Sequence, residues 1–178
     1  SSPRRKAQIK ILRPDLITIS VRGNIATRIK KLHENDFDGL IIAKAAMERL
    51  NLSFENTYEF SYEEMLPAAS QGFIGIECIS SNKDLIKMLG SISSEKDMIL
   101  AEAERSFVAQ LNGSCLSPIA IYCREESSHV LVSAKALSQN GDKQIFKEII
   151  SSHASINEDI RSLAKEFISK GADKLILS

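Results

Sequence analysis

Three apolar runs, 117–123 (SPIAIYC), 129–137 (HVLVSAKAL) and 144–150 (QIFKEII), are separated by turns of a few residues at Arg124–Ser128 and Gln139-Asn140-Gly141-Asp142. Connections that short cannot carry a parallel crossover, so the runs are predicted to be antiparallel neighbours in one sheet. Helical patterns flank them. Ser94 opens a helix to about Leu111, with Asp97 at its third position. Along it Leu100, Ala103, Phe107, Val108 and Leu111 recur at helical spacing, and Asn112-Gly113 closes it as a left-handed cap. After the sheet, Ser155 and Glu158 have capping-box spacing, ahead of an apolar stripe of Ile156, Ile160, Leu163, Ala164 and Phe167 that ends at Gly171. Residues 174–177 (KLIL) read as a tail strand. Residues 95–178 are therefore predicted to be a small α+β domain, a three-stranded antiparallel sheet with helices.

The preceding residues have a different rhythm. A short helix over 4–12 stops at Pro14, and the β-branched run 15–21 (DLITISV) reads as a strand. Arg22-Gly23-Asn24 is a turn. Residues 26–34 return to helix with Ile29 and Leu32 on the inner side, 38–43 (DGLIIA) read as a buried strand, and 44–51 as a helix. Strand alternating with helix implies an α/β unit with a parallel sheet. Residues 67–72 (PAASQG) are a loop of small residues. Residues 73–79 (FIGIECI) read as a central strand, and 84–89 as a short helix ended by Gly90.

Charge and cysteine usage narrow the functions open to the chain. Over 178 residues, Lys+Arg and Asp+Glu both number 23, so there is no whole-chain electrostatic footprint for nucleic acid. No apolar run reaches the roughly 20 residues that span a bilayer. Cys78, Cys115 and Cys123 are odd in number and lack CxxC spacing, which favours reduced thiols in a cytoplasmic setting over a disulfide framework or a zinc knuckle. His33, His129 and His153 have no metal-ligand spacing. The chain opens Ser1-Ser2-Pro3-Arg4-Arg5 rather than on Met, as a segment of a longer chain would.

Three sets of residues could carry chemistry. Arg22 lies where a strand meets the Gly-Asn turn, and Arg28 lies early in the next helix. In an α/β sheet, ligands bind beyond the carboxyl ends of strands, where helix N-termini offer free N–H groups to anions. Arginine's planar fork suits carboxylates. Arg4, Arg5 and Arg49 extend the set; any one of them could equally be a solvated surface residue. The second candidate is Cys115 in LNGSCLSP, in a loop where a thiol would be accessible, whereas Cys78 and Cys123 sit in apolar strands and read as small core residues. The glycines of PAASQGFIGIE permit close backbone approach to a ligand, and equally suit a tight loop entering a buried strand.

In order and spacing, SSPRR, RPDL, VRGNIATRIKKL, DGLIIAKAAMERL, LPAASQGFIGIEC, AERSF and LNGSCLSPIA resemble the hydroxymethylbilane synthase (porphobilinogen deaminase) family over essentially the entire chain. The resemblance implies a transferase of tetrapyrrole and haem biosynthesis. Such an enzyme condenses four porphobilinogens head to tail into 1-hydroxymethylbilane with loss of four ammonia. It implies a dipyrromethane cofactor joined by a thioether to Cys115. The cofactor's carboxylates would be held by Ser2, Arg4, Arg5, Arg22, Gly23, Arg28, Gln71 and Gly72, and the substrate's by Arg22, Arg28 and Arg49. The expected partners are porphobilinogen, the growing polypyrrole and an N-terminal half of the enzyme, which could be a separate chain; no nucleic acid, membrane or metal is expected.

The family architecture makes 1–66 the later part of a second, periplasmic-binding-protein-like domain with a parallel or mixed sheet. Residues 67–94 would be a crossover strand and helix completing the first domain, and 95–178 the C-terminal domain carrying the cysteine. The family's HSLKD-type motif, with its catalytic aspartate, has no counterpart here, so the chain alone is expected to be inactive. Pro3, Ala46 and Ser114 stand where the family usually has Leu, Gly and Gly. Ala46 is tolerable only where φ is negative. Two other readings compete: a non-catalytic periplasmic-binding-like module for an anion or other ligand, which has no use for Cys115, and an interaction fragment with an incomplete, adhesive sheet edge.

Overall fold

The computed structural model describes residues 2–34 and 36–178. Seven helices and three strands occur among them, in the order α1 (Pro3–Leu12), α2 (Ile25–His33), α3 (Lys44–Arg49), α4 (Lys83–Ile92), α5 (Glu95–Gln110), β1 (Ile119–Glu125), β2 (Val130–Leu137), β3 (Gln144–Ser151), α6 (Ile156–Ser169) and α7 (Ala172–Leu175). The strands form one antiparallel sheet in the order β1-β2-β3, with Ile121 opposite Ala134 and Ala134 opposite Lys147. The predicted α+β domain is therefore observed.

Side chains alternate across a strand, and the alternation here sets one face against the helices. Ile119, Ile121 and Cys123 of β1 and Val130, Val132, Ala134 and Ala136 of β2 are buried on that face. Leu100, Ala103 and Phe107 of α5 and Ile156, Ile160, Leu163, Ala164 and Phe167 of α6 close over it. Phe107 and Phe167 meet edge to face, with ring centroids 5.1 Å apart. The opposite face is partly covered by the segment before it. Tyr62 lies against Tyr122, and Lys135 Nζ donates to the Glu63 carbonyl at 2.7 Å.

Helix ends follow local chemistry. Ser94 Oγ accepts from the Asp97 amide, as its spacing predicts. Asn112, not Gly113, takes the left-handed conformation after α5 (φ 53). Pro3 fits at the first position of α1, and Ala46 lies within α3, outside the positive-φ residues. The expected Ser155–Glu158 box does not form. The Ser155 hydroxyl is engaged with Ser152, and the Glu158 amide donates to the Ser155 carbonyl. The predicted tail strand is instead the short helix α7, because Gly171 (φ 83) turns the chain back and Ala172 and Ile176 enter the core. Gly90 lies inside α4 rather than ending it.

The predicted strands at 15–21, 38–43 and 73–79 form no ladder among the described residues. A strand needs a neighbouring strand for its backbone groups, and among the described residues no ladder joins these segments to one. Ile17, Ile19, Ile74, Ile76 and Ile79 are accordingly exposed. The parallel sheet expected of residues 1–66 and 73–79 is thus not observed. Cys78, expected in a core, is exposed for the same reason, beside Ile76, Ile86 and Leu89 in an open groove.

Candidate functional site

The N-terminus of α1 is where the predicted site residues converge. Ser2 caps the helix, its Oγ accepting from the Arg5 amide. Arg4 points inward and is 5% exposed. Its Nη1 donates to the Leu66 carbonyl and its Nη2 to Gln71 Oε1 at 3.3 Å. Arg5 Nη1 donates to the Ile41 carbonyl at 3.0 Å. Burial pulls the Arg4 guanidinium down to about 10, with the Arg5 charge adding to the effect. Arg5 is lowered by burial first and then by the charge of Arg28. Among the described residues, none of Arg4, Arg5, Arg28, Arg22 and Arg49 is ion-paired to a carboxylate. Three like charges gathered without a counter-ion are unfavourable unless an anion joins them.

Arg28 reaches this group from the Arg22-Gly23-Asn24 turn. Asn24 caps α2, its Oδ1 accepting from both the Thr27 amide and hydroxyl at 2.8 Å. Arg28 Nε donates to the Gly23 carbonyl at 2.8 Å, which leaves the outer guanidinium nitrogens for a ligand. Gly23 is required here: its φ is +117, and a Cβ would lie 2.9 Å from Thr27. Arg22 and Arg49 are exposed, and among the described residues no hydrogen bond holds either side chain. The structure therefore brings Ser2, Arg4, Arg5, Arg28 and Gln71 together, whereas Arg22 and Arg49 lie free on the surface.

Cys115 is exposed in the turn leading to β1. The Ser114 amide donates to Ser117 Oγ at 3.0 Å, and Ser114 Oγ accepts from the Leu116 amide, so the turn is held while its thiol stays accessible. Cys123 is the opposite case: burial and the nearby Glu104 charge push its thiol far up, and it is inert packing. Among the described residues no hydrogen bond ties the Cys115 turn to the arginine group. No group of three His, Cys, Asp or Glu among the described residues could hold a metal ion. None of the described helices is long and apolar enough to cross a membrane.

The loop 66–72, with Gln71 and Gly72, is fastened from three sides. Gln8 of α1 reads the Leu66 peptide with both ends of its amide, accepting from N at 2.9 Å and donating to O at 3.0 Å. The Ile121 amide of β1 donates to the Pro67 carbonyl. Glu104 of α5, 1% exposed, accepts from the Ser70 amide at 2.6 Å and the Cys123 amide at 2.7 Å. Gln8 and Glu104 escaped sequence reasoning. The signal was a polar residue on an apolar stripe: Glu104 falls four after Leu100 and three before Phe107.

Burial without a cation raises Glu104 to about 7, although its two amide bonds act the other way. Its folded value exceeds the unfolded 4.5, so the folded chain holds this proton more tightly. That contribution is complete below about pH 4.5 and is lost as pH rises through 7. Stability is expected to fall across this window by on the order of 3 kcal/mol, and Glu104→Gln is expected to flatten the fall. Urea melts at several pH values check this; an unchanged slope in the variant would assign the dependence elsewhere.

Residues 1–87 match the family described as porphobilinogen deaminase, dipyromethane cofactor binding domain, and residues 98–169 match porphobilinogen deaminase, C-terminal domain. Curated porphobilinogen deaminases from Campylobacter hominis and Campylobacter jejuni are 42% and 41% identical over 178 residues, covering 99% of this chain and 58% of each relative. That of Campylobacter concisus is 37% identical and is covered over 57% of its length. The chain thus spans somewhat over half the length of the curated relatives it matches. With matches over both its arginine-bearing first part and its C-terminal sheet domain, the chain belongs to the porphobilinogen deaminase family.

Proposed function

We propose that this chain forms the larger part of a hydroxymethylbilane synthase and holds its dipyrromethane cofactor and its substrate. The observation that carries this reading is the cluster of Arg4, Arg5 and Arg28, crowded without a carboxylate. Such a donor set fits the acetate and propionate groups of linked pyrroles. When bound, dipyrromethane supplies the pyrrole carbon onto which porphobilinogen is joined with release of ammonia. This chain's own residues anchor and orient. Cys115 provides the thioether sulfur. Arg4, Arg5 and Arg28 pair with carboxylates, Arg22 and Arg49 reach substrate from the surface, and Ser2, Gly23, Gln71 and Gly72 bring their polar groups to the same cleft. Fixing both partners in register lowers the entropic barrier to each condensation.

In this reading residues 1–66 and 67–94 belong to periplasmic-binding-like domains, and an N-terminal half of the enzyme is the partner. That half would pair with 15–21, 38–43 and 73–79 and supply the catalytic aspartate, in a cytoplasmic enzyme. The exposed isoleucines of two of these segments support it. The test is to combine the chain with the N-terminal part of a Campylobacter relative and add porphobilinogen. Ammonia release and a mass gain of two linked pyrroles on the chain are expected with both parts present, and neither with the chain alone. No pyrrole mass on any cysteine in the combined sample would sink the reading.

A further inference from the structure

We infer that Glu104 is a positioning residue, which fixes the Ser70–Gly72 turn and through Gln71 sets the Arg4 guanidinium; this rests on the proposed carboxylate-binding role of Arg4. Each carboxylate oxygen takes one backbone N–H from a different part of the chain, Ser70 before α5 and Cys123 after it. Ser70 Oγ adds a bond to the Ala101 carbonyl, one turn earlier on the same helix. The turn itself is not a relaxed one: Ser70 has φ 57 and Gly72 φ 103. Gln71, between them, is exposed, and only its side-chain oxygen reaches back to Arg4.

Stability alone does not account for a carboxylate at this place. The neighbouring positions of α5 that face the core are Leu100, Ala103 and Phe107. Among the described residues no cation pairs with Glu104, and the titratable groups facing it, Cys123 and Tyr122, gain nothing from its charge, since it pushes both upward. An apolar residue there would avoid the cost of desolvating a charge. What Glu104 provides is location, because the charge-assisted bond holds an irregular turn at a fixed height above β1. Arg4 shares Leu66 and Gln71 as acceptors, so the direction of its guanidinium depends on where that turn sits.

Glu104→Gln tests this in the full chain. The amide has one oxygen, which stays with Cys123, held by the β1–β2 ladder, and its N–H₂ then faces the Ser70 amide. Hydrogen exchange over 66–73 is expected to rise about tenfold, the equivalent of losing one bond, with β2 and α6 unchanged. Unchanged exchange at the turn, or an equal rise throughout, overturns the proposal. Titration with porphobilinogen, read as protection of residues 2–8, is the second arm. The half-protecting concentration should rise about tenfold in Glu104→Gln and in Gln71→Ala, with no further rise in the double variant. Additive effects would mean that Glu104 does not act through Gln71 and would overturn the inference. Should the unsubstituted chain show no protection by porphobilinogen, the functional reading fails, and the exchange arm still decides the role of Glu104. Should Glu104→Gln not fold, Ser70→Ala deletes the neighbouring bond to Ala101, and the same local rise in exchange is expected; its absence overturns the proposal.

Discussion

Replacing Cys115 by serine is expected to leave the completed enzyme without covalent cofactor and without turnover, while its fold is unchanged. The thiol is exposed, and its turn is held by Ser114 and Ser117 rather than by sulfur. Exchanging sulfur for oxygen at such a place shifts stability by about 0.5 kcal/mol or less. The chemistry is what changes. A thiol is strongly nucleophilic, whereas a hydroxyl without an adjacent base is not. Cys78 is the rival, because it too is exposed, whereas Cys123 is buried and its thiol is held protonated. Intact mass after exposure to porphobilinogen separates them. Two linked pyrroles should appear on the unsubstituted protein and on Cys78→Ser, and be missing from Cys115→Ser. The reverse pattern would move the anchor to Cys78.

What could be read from the sequence follows from where each element finds its partners. The sheet β1-β2-β3, α5 and α6 were legible because each lies beside the elements that bury it, and short turns fix the order. The runs 15–21, 38–43 and 73–79 carry equally strong strand composition, yet composition does not supply a neighbouring strand, and among the described residues none of them joins a sheet. The arginines show a similar division. Arg4, Arg5 and Arg28 were legible from residue type and from motif, and the structure gathers them. What the sequence hides is how they are held. Glu104 accepts bonds from residues 34 and 19 positions away, and Gln8 binds a peptide 58 positions on. No periodicity encodes contacts of that range.

Gly141 is the position at which that long-range holding is most open to attack. It sits in the β2–β3 turn with φ +79, and a Cβ there would lie 2.4 Å from the Ala7 carbonyl oxygen and 3.1 Å from Lys10 Cβ. Neither obstacle is a movable side-chain tip; both belong to α1, whose Ala7 is fully buried. Gly141→Ala therefore incurs a left-handed backbone penalty of about 1 kcal/mol and an overpacking cost of about 1–3 kcal/mol unless α1 lifts away. Gly171 supplies the control: its φ is +83, yet nothing lies within 4 Å of a Cβ, so Gly171→Ala should incur the backbone term alone. Urea melts are expected to place Gly141→Ala lower by about 2–4 kcal/mol and Gly171→Ala by about 1 kcal/mol. Equal losses would mean that α1 is not seated on this turn. The consequence reaches the site, because α1 carries Arg4 and Arg5 and meets the β2–β3 turn at Ala7 and Lys10. Loosening it should raise hydrogen exchange over residues 2–12 more than over α6, and should weaken carboxylate binding at a position where no ligand is touched.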